Sequence, residues 1–315
     1  MAGLDEFPLV RLRAVWALRE PVRLRGYLGN TFRGALGMAL RRTVCAFPGR
    51  DCEGCSARGR CAWVRLFRTS SLHVHLSQGG QATPTSPLVI EPPHVAGAYV
   101  PGQELSMELV LVGDAIGEVA AVSDACECMG DLGLGTRRAR MRLLHLHFVH
   151  AQGYATAYVP GHERYGRPPF PANLAAVTKP LPLGGKEASL AIGLLSPLRL
   201  RSSGELRREV CFLDLVAAAD WRARQLAELC IGPVTLPSRA ETLEVAERCE
   251  VVEKELRWED WDTGWCSGGR CPTGGFVGHL RVRGDWQPLL PLLRLAEHIH
   301  VGNGATYGLG KIALA

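Results

Sequence analysis

GGFVGHLRVRGDWQPLLPLLRLAEHIHVGNGATYGLGKI, residues 274–312, carries the signals that decide the fold. Its first eleven residues alternate as a strand does, between glycines. Residues 286–299 are leucine-rich and read as a helix, and residues 307–314 close as a strand. Gly302, Gly304, Gly308 and Gly310 crowd the joint between helix and strand. Such glycines either let the backbone approach a ligand and offer N–H groups to phosphate, with Lys311 adding a charge, or supply positive φ to a tight turn.

Working back from this stretch, residues 188–201 read as a strand, 208–229 as a long amphipathic helix, and 243–258 contain another strand. The order is strand, helix, strand, strand, helix, strand. The N-terminal half repeats it. Residues 9–19, LVRLRAVWALR, alternate as a half-buried strand. A helix over 30–44 carries the apolar stripe Phe32, Leu36, Leu40 and Val44, with Asn30 or Thr31 as its cap. Strands follow at 87–92 and 104–113, then a helix capped by Asp114, then a strand over 138–150. Six prolines and several glycines make 151–186 a loop or linker. The order found twice is the split βαβ of ferredoxin-like domains, whose open sheet face RRM-type modules use for RNA. The expectation is an α+β protein of two tandem ferredoxin-like domains, 1–150 and 187–315.

The 315 residues suit two domains of ordinary size. No apolar run is long enough for a membrane helix, and the N-terminus lacks a signal pattern, so a cytoplasmic protein is expected. The net charge of +5 is unevenly spread: residues 1–80 carry +8, all their strong cations being arginines, and the rest carries −3. A basic N-terminal region implies a polyanionic partner. In a reducing compartment, the 11 cysteines point to metal or free thiols before disulfides. Cys45, Cys52, Cys55 and Cys61 are spaced C-x6-C-x2-C-x5-C in a polar loop and can close a tetrahedral shell around zinc, ahead of an iron–sulfur cluster. Arg50, Arg58, Arg60, Arg65 and Arg68 interleave with this knuckle or follow it. Cys266 and Cys271 form a looser pair.

The segment HVGNGATYGLGKI, the leucine-rich helix before it and the strand GGFVGHLRVRG resemble the C-terminal end of the sixth Cas protein family. These are RAMP-superfamily endoribonucleases that cut precursor CRISPR RNA. LSPLRLRSSG (195–204), FLDLVAAADWRARQL, WEDW (258–261) and FRGALGMALRRTVC extend the resemblance along nearly the whole chain. It implies two ferredoxin-like domains, a repeat-RNA partner, other CRISPR effector subunits as further partners, and cleavage without a catalytic metal. The RNA 2′-OH attacks the adjacent phosphate, leaving a 2′,3′-cyclic phosphate and a 5′-OH. Gly302, Asn303, Gly304, Gly308, Gly310 and Lys311 match the family's RNA-contacting loop, with Asn303 where relatives have Lys. Met38 stands where relatives often have a catalytic His, and Met cannot transfer a proton. Candidates for the chemistry are then Tyr27, Arg33 and Arg41 on or near the first helix, and His300 beside the loop; His73 and His75 are others. Arg25 and Arg42 are candidate RNA contacts. The competing reading is an RNA-holding subunit that does not cut.

Overall fold

The computed structural model describes residues 3–49, 51–69, 85–93, 95–163, 166–181, 189–202, 205–232, 236–260, 265–266, 269–270 and 274–315. The alternation in LVRLRAVWAL forms strand β1 (Leu9–Leu18). Val10, Leu12, Ala14 and Trp16 point into the first apolar core, while Arg11 and Arg13 take the other face. Helix α1 (Gly29–Val44) lays the predicted stripe of Phe32, Leu36 and Leu40 on this core. It starts earlier than its sequence signal. Leu28 is the N-cap, and its apolar side chain cannot cap the helix; the first turn is pressed against Tyr307 and Tyr27, leaving no room for a Cβ at Gly29.

Strands β2 (Leu88–Glu91), β3 (Glu104–Val112), β4 (Met141–His150) and β5 (Gly153–Tyr158) complete a five-stranded antiparallel sheet in the order β2-β3-β1-β4-β5. Helix α2 (Val119–Leu132) covers the same face as α1. Asp114 does not cap it. A 3-10 turn over Gly113–Glu118 intervenes, and α2 begins at Val119. Strand β5 lies where the sequence reads as loop: it pairs with β4 and buries Ala157 and Tyr158.

The second half repeats the plan. Strands β6 (Leu190–Leu198), β7 (Glu250–Glu259), β8 (Gly275–Arg283) and β9 (Ile312–Leu314) are antiparallel in the order β7-β8-β6-β9. In both halves the spatial order is second, third, first, fourth. Helix α3 (Phe212–Cys230) opens with Asp214 accepting from the Cys211 amide at 3.1 Å. It packs with α4 (Leu290–Ile299) on the second core. A nine-residue helix, Arg239–Glu247, capped by Ser238, precedes β7 and was not expected. Tyr307 lies in a 3-10 turn, so the closing strand is shorter than 307–314.

The halves are not independent. Leu9, Val89, Val110 and Val112 of the first sheet sit in the second core. A buried charge network completes the join. Glu91 on β2 meets Arg11 Nη2 at 3.0 Å, His300 Nε2 at 3.1 Å and Lys311 Nζ. Arg11 also reaches Glu108 at 2.5 Å and His298 Nδ1 at 3.0 Å. Among the described residues, no helix is long and apolar enough to cross a membrane.

Candidate nucleic-acid interface

The glycine-rich joint behaves first as a turn. Gly302, Gly304, Gly308 and Gly310 have φ of 79°, 85°, 90° and 67°, values that favour glycine. A Cβ on Gly310 would strike the Val301 carbonyl, and one on Gly302 the Arg199 carbonyl. The close approach these glycines allow is therefore to the chain's own backbone. The amides of Gly308 and Gly310 donate to Ala305 O (3.0 Å) and Pro197 O (3.1 Å), so they do not cradle a phosphate. Asn303 is exposed, its amide bonded to Arg199 O at 2.9 Å.

His300 is not the exposed group its position implied. It is fully buried, Nε2 bonded to Glu91 Oε1 (3.1 Å) and Nδ1 3.2 Å from Leu309 O. Burial is the largest cause that pushes its pKa down. A ring with both nitrogens engaged inside the protein cannot meet an RNA proton in this conformation, so the catalytic assignment fails here. Lys311 is likewise spent on Glu91 and is not a free phosphate contact. Glu91 is itself held well below the usual carboxylate range, the Arg11 guanidinium, His300 and Lys311 outweighing its burial.

Two first-half residues do meet the loop. The Tyr27 hydroxyl donates to the Tyr307 carbonyl. Burial, then the Glu91 charge, raises its pKa, so it stays a protonated donor. The Arg33 guanidinium lies between the rings of Phe67 (4.7 Å) and Tyr307 (4.9 Å) and reaches Thr306 O at 3.4 Å. The other basic residues scatter. Arg25 is exposed on the approach to α1. Arg41 follows Arg33 by eight residues, roughly 12 Å along the axis; it stacks on Trp63 at 5.1 Å and borders the cysteine loop. Arg42, nine residues on, lies on the opposite face of the helix, in a recess with Asp124, Glu127 and Asp131. Neither Arg41 nor Arg42 joins the loop. Met38 is 52% exposed.

Between α1, α3 and the loop lies an open cleft of about 770 Å³. Among the described residues, Arg33, Arg201, Arg207, Arg222 and Arg239 line it against one carboxylate, Asp214. Gly302, Asn303 and Gly304 form its wall on the loop side, and Trp221 stands at its edge. Four of these five arginines lie in the half whose net charge is negative, so overall charge gave no hint of them. A smaller cavity of about 320 Å³ behind the loop holds Tyr27, Glu91, Ser196 and Lys311.

Cys45, Cys52, Cys55 and Cys61 all line one cavity of about 290 Å³ with Arg58 and Arg60. The donor set fits zinc. The sulfurs, though, are not drawn to the roughly 3.8 Å separation that tetrahedral bonds of ~2.3 Å set: among the described residues, the group of three or more donors lying within 4.8 Å is Glu253, Glu255 and His279. There Glu253 is bridged by His279 (3.0 Å) and Arg281 (2.9 Å) across the second sheet. Arg50, His73, His75, Trp261, Gly204 and Cys271 lie outside the described residues, as does the side chain of Cys266.

Comparison with known proteins follows the same division. Residues 192–312 match the family model of the CRISPR-associated endoribonuclease Cas6. Residues 7–169, just over half of the chain, match the AF_1859 N-terminal domain model. The chain belongs to the family of the AF_1859 N-terminal domain, and its C-terminal part is similar to Cas6. Solved Cas6 structures share its fold. Thermus thermophilus Cas6 aligns over 98% of this chain and 99% of its own, at 17% identity and a TM-score of 0.54. A Cas6 product complex gives the same coverage and identity with a TM-score of 0.53. A chain of a partial Cas6-RT-Cas1–Cas2 complex covers all of this one, which spans 47% of it, at 14% identity and a TM-score of 0.57. A curated relative, an uncharacterized protein of Archaeoglobus fulgidus, is 25% identical over 108 residues. That match takes in 34% of this chain and 36% of the relative, so the chain spans about a third of the curated relative's length.

Proposed function

We propose that this Cas6-like chain binds CRISPR repeat RNA and cleaves precursor CRISPR RNA as a cytoplasmic endoribonuclease. The observation that carries the reading is the cleft where Arg33, in contact with the rings of Phe67 and Tyr307, meets the loop of residues 302–308 among four further arginines. Such a surface suits a bent polyphosphate strand, since guanidinium groups bind phosphate oxygens bidentately.

The chemistry is attack of the RNA 2′-OH on the adjacent phosphate, in line with the leaving 5′ oxygen, without a catalytic metal. Arg33 is suited to stabilise the charge that develops on the phosphorane, because its contacts with Phe67, Tyr307 and Thr306 O position it before substrate arrives. Tyr27 positions the loop by donating to Tyr307 O. The proton acceptor is a group other than His300 and Met38.

Two ferredoxin-like domains, 1–150 and 187–315, fit the shared strand order, with β5 as an edge addition to the first. A structural zinc on Cys45, Cys52, Cys55 and Cys61 fits the donor set; a four-thiolate shell has no open position and so no part in cleavage. Other CRISPR subunits are further partners in this reading.

The test is incubation of the protein with repeat RNA in EDTA, followed by analysis of the product ends. Specific cutting that leaves 2′,3′-cyclic phosphate and 5′-OH ends is expected. Repeat RNA bound tightly yet left intact would overturn the proposal and favour an RNA-holding subunit.

A further inference from the structure

Arg222, on α3, is a buried cation with an unused donor. Its side chain is almost wholly withdrawn from solvent. Nε donates to Ile299 O at 2.6 Å and Nη1 to Thr85 Oγ1. Nη2 has no hydrogen-bond partner among the described residues. Nor does any described carboxylate form an ion pair with Arg222. The burial drives its pKa down to about 10, which leaves it charged at neutral pH. An uncompensated buried charge is costly, and buried donors are almost always paired in native proteins. The unpaired nitrogen has almost no exposed surface itself, but it belongs to a residue that lines the arginine-rich cleft, and an anion entering there would reach it once the guanidinium turns outward.

The neighbour in sequence supplies the second feature. Trp221 lines the same cleft and is 38% exposed. A half-exposed indole beside a cluster of guanidinium groups is the arrangement that single-stranded nucleic-acid sites use, a stacking face next to a backbone track. Arg207 and Arg239 are each neutralised in part, by Asp214 at 2.9 Å and Asp220 at 2.8 Å. Arg222 is not, which makes it the phosphate anchor that α3 offers beside Trp221.

We infer that this part of the cleft is a nucleotide subsite: Arg222 Nη2 binds a phosphate oxygen of the RNA strand and Trp221 stacks on the adjoining base. The inference rests on the RNA-binding reading above and adds to it a residue pair on α3, outside the first helix and the glycine-rich loop.

Binding of fluorescently labelled repeat RNA, and of the same RNA carrying one abasic nucleotide at each position in turn, tests it on the full chain. Trp221→Ala and Arg222→Lys are compared with the parent, with thermal unfolding as the check on folding. Trp221→Ala changes a half-exposed side chain and keeps the assay informative if Arg222→Lys does not fold. Trp221→Ala should weaken binding at least about fivefold. One abasic position should weaken binding to the parent by a similar factor and have no further effect on Trp221→Ala. Arg222→Lys should weaken binding while retaining the charge, because it lacks the second nitrogen. If the parent binds the repeat and folded Trp221→Ala stays within twofold of it, the subsite is overturned and the RNA reading stands. If the parent itself does not bind the repeat, the RNA reading falls and takes this inference with it.

Discussion

Arg11 and Arg222 are both buried arginines, and their surroundings are opposite. Arg11, between the two sheets, has Glu91 at 3.0 Å, Glu108 at 2.5 Å and His298 at 3.0 Å. These carboxylates outweigh burial, the largest single influence, and raise its pKa. Arg222, beside the cleft, has two neutral acceptors and a nitrogen with no described partner, and burial lowers its pKa. One guanidinium is compensated within the chain and holds the halves together. The other is left for something from outside. The glycine-rich loop separates the two regions: its inner side carries Lys311 to Glu91, and its outer side forms the cleft wall.

The comparison can be broken most forcefully at Glu91. Glu91→Gln leaves Arg11 with one carboxylate and Lys311 with none at that point, so it should destabilise the fold by about 3–5 kcal/mol, read from urea unfolding. A loss below about 1 kcal/mol would mean that the network does not join the halves. On the cleft side, Arg33→Ala should abolish most cleavage of repeat RNA while leaving the unfolding midpoint within a few degrees. If cleavage persists at the parental rate, Arg33 is a packing residue.

Acid should dissolve the joint from the inside. His298 and His300 are held below their ordinary 6.5, burial being the first cause in each. The unfolded chain therefore binds protons that the folded chain refuses, and stability falls as pH drops below about 6.5. Glu91 is held well below its ordinary 4.5, so its contribution is present above pH 4.5 and is lost as pH falls toward its folded pKa. Unfolding free energies measured from pH 7.5 to pH 4 should decline in that order; a flat profile would count against the buried network. Metal analysis should find about one equivalent of zinc on the cysteine knuckle, with less than half an equivalent of zinc or iron counting against it. The smallest effect is expected at Arg42. Because Asp124, Glu127 and Asp131 surround it, Arg42→Ala should leave the salt dependence of RNA binding unchanged, whereas Arg25→Ala should reduce the slope by about 1.

Elements with strong periodicity were legible. The stripe Phe32–Leu36–Leu40 became the buried face of α1, and the alternation in LVRLRAVWAL became β1. Short or mixed elements were not. Strand β5 sits in a stretch rich in glycine and proline, and only pairing with β4 makes it a strand. The helix Arg239–Glu247 buries only Thr242 and Ala246, so its apolar signal is weak.

The site divides in the same way. The sequence by itself showed that the joint at 300–311 can turn tightly, since four glycines there accept the positive φ that other residues avoid, and that cations gather near α1. It also marked Met38 as a departure from the family the sequence resembles. Only the tertiary structure decided that His300 faces inward, that Lys311 is neutralised by a carboxylate 220 residues earlier, and that Arg222 lines the cleft with a spare donor buried behind it. The physical reason is range. Backbone turns and amphipathic stripes are set by neighbours a few residues apart, whereas the availability of a charge depends on partners that folding brings from distant strands.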